Sequence, residues 1–196
     1  MTRLNALLTL VAAVFCLWLA AAPAFQPPAN RPASKQPKPK PPSVSVQISS
    51  EPAPIVLEAE AGTIVAPIQV YENPDASGGK YVMTPEPPNE NLATGGQVEF
   101  KLNMAETAKY NLWLRVEFDD SCDNSLFAKV GDGAPIEVTN NTFKVWQWIK
   151  AGRIPFELKS GPVALIVGSR ENGSRLDEML LTQNLKYVPV GVETSH

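Results

Sequence analysis

Histidine is all but missing from these 196 residues, and the single copy, His196, is the last of them. That removes the commonest general base and a favoured metal ligand. Cysteine is nearly as scarce. Cys16 lies in an apolar N-terminal run and Cys122 in a polar stretch, so neither a disulfide framework nor a Cys/His metal pattern can be drawn. Helical periodicity is missing too, apart from one turn's worth at Ala105 to Ala108. Acids are absent before Glu51 while five basic residues fall there, so the whole-chain formal charge of −3 leaves residues 51–196 at −8. An acidic region of that kind disfavours nucleic acid and suits a divalent cation or a neutral ligand. No Ser/His, Cys/His or facing pair of acids is apparent, so the sequence assigns no catalytic residue and no enzyme is expected.

What is present divides the chain. Arg3, an apolar run from Ala6 to Ala22 and the Ala22-Pro23-Ala24 site have the layout of a secretory signal peptide covering residues 1–24. The rival is an uncleaved anchor, since the run approaches the roughly 20 residues of a membrane span; a membrane is a partner only in that case. Ten of the 19 prolines precede Ile55, and residues 25–54 are expected to be a disordered Pro-rich linker acting as a semi-rigid spacer. Residues 55–186 form one globular module, followed by a tail over 187–196. The expected location is secreted, periplasmic or at the cell surface, and the expected state is a monomer.

The module reads as β throughout. Strands are expected at 55–60, 63–70, 80–84, 97–103, 109–118, 126–130, 135–138, 145–150, 154–158, 162–168 and 176–183, with Gly95-Gly96, Gly131-Asp132-Gly133 and Asn172-Gly173 as turns. Tyr110, Leu112, Leu114, Val116 and Phe118 alternate strictly, which turns one face inward. Pro162 to Val167 is a nearly unbroken apolar run and suggests a strand buried on both faces. The spacing predicts an all-β fold, an antiparallel β-sandwich of jelly-roll type.

One acid stands out. Asp177 interrupts the apolar run Leu176 to Leu181, and a carboxylate there needs a partner. Glu58 and Glu60 are two apart, so on a strand they share a face, and pairing of the first and last long strands brings Asp177 beside them. Two readings stand. Three carboxylates in one place call for a cation, of which Ca²⁺ is the natural choice, completed by carbonyls of Ala76 to Lys80. Alternatively Glu58 and Glu60 are solvated and Asp177 pairs with Lys80 or Arg175.

Six segments in order (EAE at 58–60, ASGGKYV at 76–82, YNLWLRV at 110–116, DNSLF at 123–127, WQW at 146–148 and RENGSRLDEMLLT at 170–182) make the module resemble carbohydrate-binding modules of families six and thirty-five, within the galactose-binding-like β-sandwiches. The resemblance implies a structural Ca²⁺ on Glu58, Glu60 and Asp177. It also implies a carbohydrate site in the loops at one end of the sandwich, built around aromatic rings. A pyranose lays its C–H face on an indole while its hydroxyls take polar partners, which makes Trp146 and Trp148 candidates for the platform. At least one of the two reads as core, tryptophan being highly buried on average, and Trp148 is preferred as the ligand ring. Asp123 and Asn124 match a loop beside such sites, and are also ordinary turn residues.

Two positions depart from the family pattern. Arg175 stands where many sugar-binding members have Asn before Leu-Asp, and Met83-Thr84 replaces a frequent aromatic. Arg175 suits a carboxylate or sulfate on an acidic sugar. The leading expectation is a non-catalytic carbohydrate-binding module; the alternative is a structural or adhesion sandwich binding a protein or envelope partner, with the sugar site lost.

Overall fold

The computed structural model describes residues 52–85 and 95–193. The expected leader, and the linker before Pro52, lie outside them. Among the described residues the strands are β1 (Ile55–Glu58), β2 (Thr63–Val65), β3 (Gln69–Glu72), β4 (Lys80–Met83), β5 (Gln97–Met104), β6 (Ala108–Glu117), β7 (Ser125–Val130), β8 (Ile136–Thr139), β9 (Gln147–Leu158), β10 (Gly161–Ser169) and β11 (Arg175–Thr182). One sheet runs β3-β4-β11-β6-β9 with β1 also on β11, and the other runs β2-β5-β10-β7-β8. All pairings are antiparallel, so the expected β-sandwich is what forms.

Alternation along β6 places Tyr110, Leu112, Leu114 and Val116 in the core, with Phe118 just beyond the strand. They meet Leu126, Val138, Leu165 and Val167 of the opposite sheet and Leu176, Met179 and Leu181 of β11. Gly168 admits the Phe127 ring so closely that a Cβ there would stand 2.2 Å from it.

Several expected elements change. The single strand foreseen over 63–70 is two strands in opposite sheets, because Pro67 cannot supply a ladder N–H and the chain crosses over there. The strands foreseen at 145–150 and 154–158 are one strand, carried through by Gly152 at φ 78°. β10 is not buried on both faces, since Pro162 and Ala164 are exposed while Leu165 and Val167 are buried. That property belongs to β11, in which every residue from Leu176 to Thr182 is buried. No turn of helix forms at Ala105 to Ala108; β6 begins there instead.

The cover over β11 is the chain's own C-terminal stretch. Residues 183–193 cross the outer face of the first sheet: Asn111 Nδ2 donates to the Leu185 carbonyl (3.1 Å) and Trp148 Nε1 to the Gly191 carbonyl (2.8 Å). The Glu193 N–H donates to Glu178 Oε1 (3.2 Å), the Tyr187 hydroxyl donates to Glu193 (2.8 Å), and Pro189 is buried. The described part of the expected tail is therefore a docked strap.

The sandwich has two distinct poles. The connections β6–β7, β8–β9 and β10–β11 gather at one. The chain enters at the other, where Ile55 pairs with Leu181 near the β5–β6 and β9–β10 turns.

Candidate functional site

The acids meet inside the first sheet, along its interior strand β11. Both β4 and β1 pair with the same side of β11, β4 at Arg175 and Leu176 and β1 from Glu178 to Leu181. Asp177 falls in the gap between them, at a bulge where the β11–β6 register slips. Into that gap turn the residues after β1, which wind into a 3-10 turn at Ala59–Ala61, and those before β4, which form another at Ser77–Gly79. The expectation that Glu58 and Glu60 share a strand face is thus overturned, because the strand ends at Glu58. The winding nevertheless keeps Glu58, Glu60 and Asp177 within each other's fields.

Gly78 and Gly79 hold φ of 59° and 76°, which lets Ser77 face the gap. The Ser77 N–H donates to Asp177 Oδ1 (3.0 Å) and its hydroxyl to Glu58 Oε1 (2.7 Å). The partner that Asp177 requires is Arg115, which neither Lys80 nor Arg175 replaces. Arg115 Nη1 donates to Asp177 Oδ2, Nη2 to the Asp75 carbonyl (3.2 Å), and Nε stands 3.9 Å from Glu178 Oε2. Burial pushes the Asp177 carboxyl up, against the opposing pull of the Ser77 N–H and the Arg115 guanidinium. Burial, reinforced by Asp177 and Glu58, pushes Glu178 up to about 8. Glu60 is raised by burial and then by Glu58 and Asp177.

For a cation, the donor set offers two buried carboxylate oxygens without partners, Glu58 Oε2 and Glu60 Oε2. Hard oxygens left over beside a third acid fit Ca²⁺ chemistry. Two facts weigh on the other side. The carbonyls of Ala76, Ser77 and Gly79 already accept from Gly79, Lys80 and Asn73, and no group of three or more acid, His or Cys side chains among the described residues is arranged to hold a metal as it stands.

The candidate ligand residues are not gathered into one platform. Trp146, half-buried just before β9, lies edge-on to Tyr81 (5.8 Å between centroids) and under the Arg115 guanidinium (5.2 Å). Tyr81 in turn stacks on Tyr71 at 5.6 Å. Trp148 is held beneath the strap. Arg175 pairs with Glu117 and, at 3.4 Å, with Asp119, and lies 6.0 Å from the Tyr81 ring centre. Asn124 is engaged by Glu171 Oε2, to which its N–H donates (2.9 Å), and by Asn140 and Asn141. The Asp123 carbonyl accepts from the Ser174 hydroxyl (3.0 Å). Sequence reasoning missed Arg115, Tyr71 and Tyr81 as site residues. For Arg115 a trace existed: it occupies the out-of-phase set of β6 with Asn111, Trp113 and Glu117, and a cation in mid-strand needs an acid nearby. A cleft of about 590 Å³ lies at the opposite pole around Gly131–Gly133, Phe156 and Lys159 and holds none of these residues.

No protein-family model matches the sequence, and no curated protein does. Solved structures do match. A family 35 carbohydrate-binding module from Clostridium thermocellum superposes with TM-score 0.52 at 17% identity, over 66% of this chain and 98% of that one. The CBM35 from Cellvibrio japonicus Abf62 gives 0.51 at 14%, over 66% and 93%. A GH26-CBM35 β-(1,4)-mannanase from Podospora anserina gives 0.56 at 20%, over 69% of this chain but only 29% of that enzyme. The fold is that of the carbohydrate-binding-module β-sandwiches. The two free-standing modules that it resembles in fold are family 35 modules. The chain spans under a third of the multidomain enzymes it matches, while it covers the free-standing modules almost completely.

Proposed function

We propose that this protein is a non-catalytic carbohydrate-binding module, exported and displayed on a Pro-rich spacer, with a structural Ca²⁺ on Glu58, Glu60 and Asp177. The supporting observation is the near-complete coverage of free-standing family 35 modules by the same fold. The ring best placed to meet a sugar is Trp146, half-buried beside Tyr81 and Tyr71, with Arg175 at Tyr81 as the polar neighbour. Trp148 serves the strap rather than the ligand, and Asn124 organises the loop.

Polysaccharide pull-down and glycan arrays with the full chain test this reading. Binding lost in Trp146→Ala and kept in Trp148→Phe is the expected result; no binding to any glycan would sink it. A second reading, an adhesion sandwich for a protein or envelope partner, draws on the internal engagement of Trp148, Arg175 and Asn124. It predicts binding to envelope fractions that free sugars do not compete away.

A further inference from the structure

Arg175 lies where the aromatic group meets the acids of the loops. Strand register builds this in, for Arg175 stands opposite Glu117 on β6 and Met83 on β4. Its guanidinium lies 6.0 Å from the Tyr81 ring centre, while Nη1 donates to Glu117 and Nη2, at 3.4 Å, to Asp119. A guanidinium beside a ring suits a carboxylate or sulfate when its charge is open. Here the charge is met from within. Arg115, the cation on the Trp146 ring, is likewise held by Asp177. The connections gathered at this pole carry Asp119, Asp120, Asp123 and Glu171 against Lys144 and Arg170, and Arg170 is taken by Glu137 (2.6 Å).

We propose that Glu117 and Asp119 set the charge selectivity of the site, so that it takes uncharged glycans and turns uronates and sulfated sugars away. The proposal rests on the carbohydrate reading given above and names the ligand class of the same site. An ionised carboxylate only accepts hydrogen bonds, and the same holds for the charged group of a uronate or a sulfated sugar. Asp119, whose side chain is 45% exposed, therefore offers acceptors to sugar hydroxyls and nothing to an anionic group. Arg175 does not compensate. A ligand carboxylate that reaches it either sits beside two like charges or displaces Glu117. Displacement leaves the Glu117 carboxyl, whose side chain is 14% exposed, without its cation, and stranding one partner of a largely buried pair is costly. A neutral hydroxyl meets neither penalty.

The test reads arrays of neutral, uronate and sulfated glycans with the full chain. Calorimetry then compares the best neutral hit that carries primary hydroxyls with the same glycan oxidised at those hydroxyls to carboxylates. The wild type should bind the neutral form about tenfold more tightly, the scale of one contact to a charged group. In Glu117→Gln/Asp119→Asn that preference should largely disappear, with the gain for the oxidised form fading as salt is raised. Adding Arg175→Met should abolish the gain. If the double variant fails to fold or to bind, Asp119→Asn, at the more exposed of the two acids, decides by a shift in the same direction. Acidic glycans as the leading array hits, equal binding of the two forms by the wild type, or an unchanged preference in a variant that still binds the neutral glycan overturns the charge selectivity while leaving the carbohydrate reading standing. No binding to any glycan overturns both.

Discussion

At the scale of single residues, two positions carry sharp consequences. A Cβ at Gly168 would press on the Phe127 ring and, at 3.0 Å, on the Gly96 carbonyl, so there is backbone as well as side chain in its way. Gly168→Ala should cost about 1–3 kcal/mol by overpacking, read by urea denaturation. Asp177 and Arg115 are both buried, so removing one partner strands the other. Asp177→Ala should cost about 3–5 kcal/mol, and an unchanged denaturation midpoint would show that Arg115 finds another acid. The need of Asp177 for a partner was legible in the sequence, because an acid in an apolar strand is costly. The identity of the partner was not, since Arg115 lies 62 positions away and the pairing depends on which strands are neighbours.

At the scale of elements, the strap over residues 183–193 determines why β11 is buried on both faces. Deleting everything after Gln183 exposes Trp148 and the Glu178 carboxyl and removes three hydrogen bonds, those of Asn111, Trp148 and Glu193. At about 0.5–1.5 kcal/mol each, the expected loss is roughly 2–4 kcal/mol, with red-shifted tryptophan emission. Trp148→Phe alone should cost about 0.5–1.5 kcal/mol. The β6 strand was plain in the sequence because its period-2 pattern is local. The strap was not, for a polar, Pro-containing stretch has no period of its own and is ordered only by the face it lies on. Pro67 misled in the opposite direction: apolar residues continue through 63–70, so composition showed one strand where the missing N–H forces two.

At the scale of the whole molecule, the sandwich was readable from strand number and turn spacing, whereas the site was readable only in part. Glu58, Glu60 and Asp177 do converge, through 3-10 turns rather than a shared strand face. The aromatic residues divide between the strap and the Arg115 stack, because strand register and loop length decide it, and neither is written in the residue types. If the cation site is occupied, chelation should lower the melting temperature: Ca²⁺ at a hundred times its Kd adds about 2.7 kcal/mol to the folded state. An unchanged melt would count against it.

The polarity of the sandwich decides how the molecule behaves when it is fixed to something. The chain enters at the pole of Ile55 and Leu181, whereas exposed Cys122 sits in the β6–β7 connection at the other. A chip coated by coupling through the Cys122 thiol would press the Trp146 end against the surface, so a glycan-binding test run in that orientation should read lower than the same test run in solution.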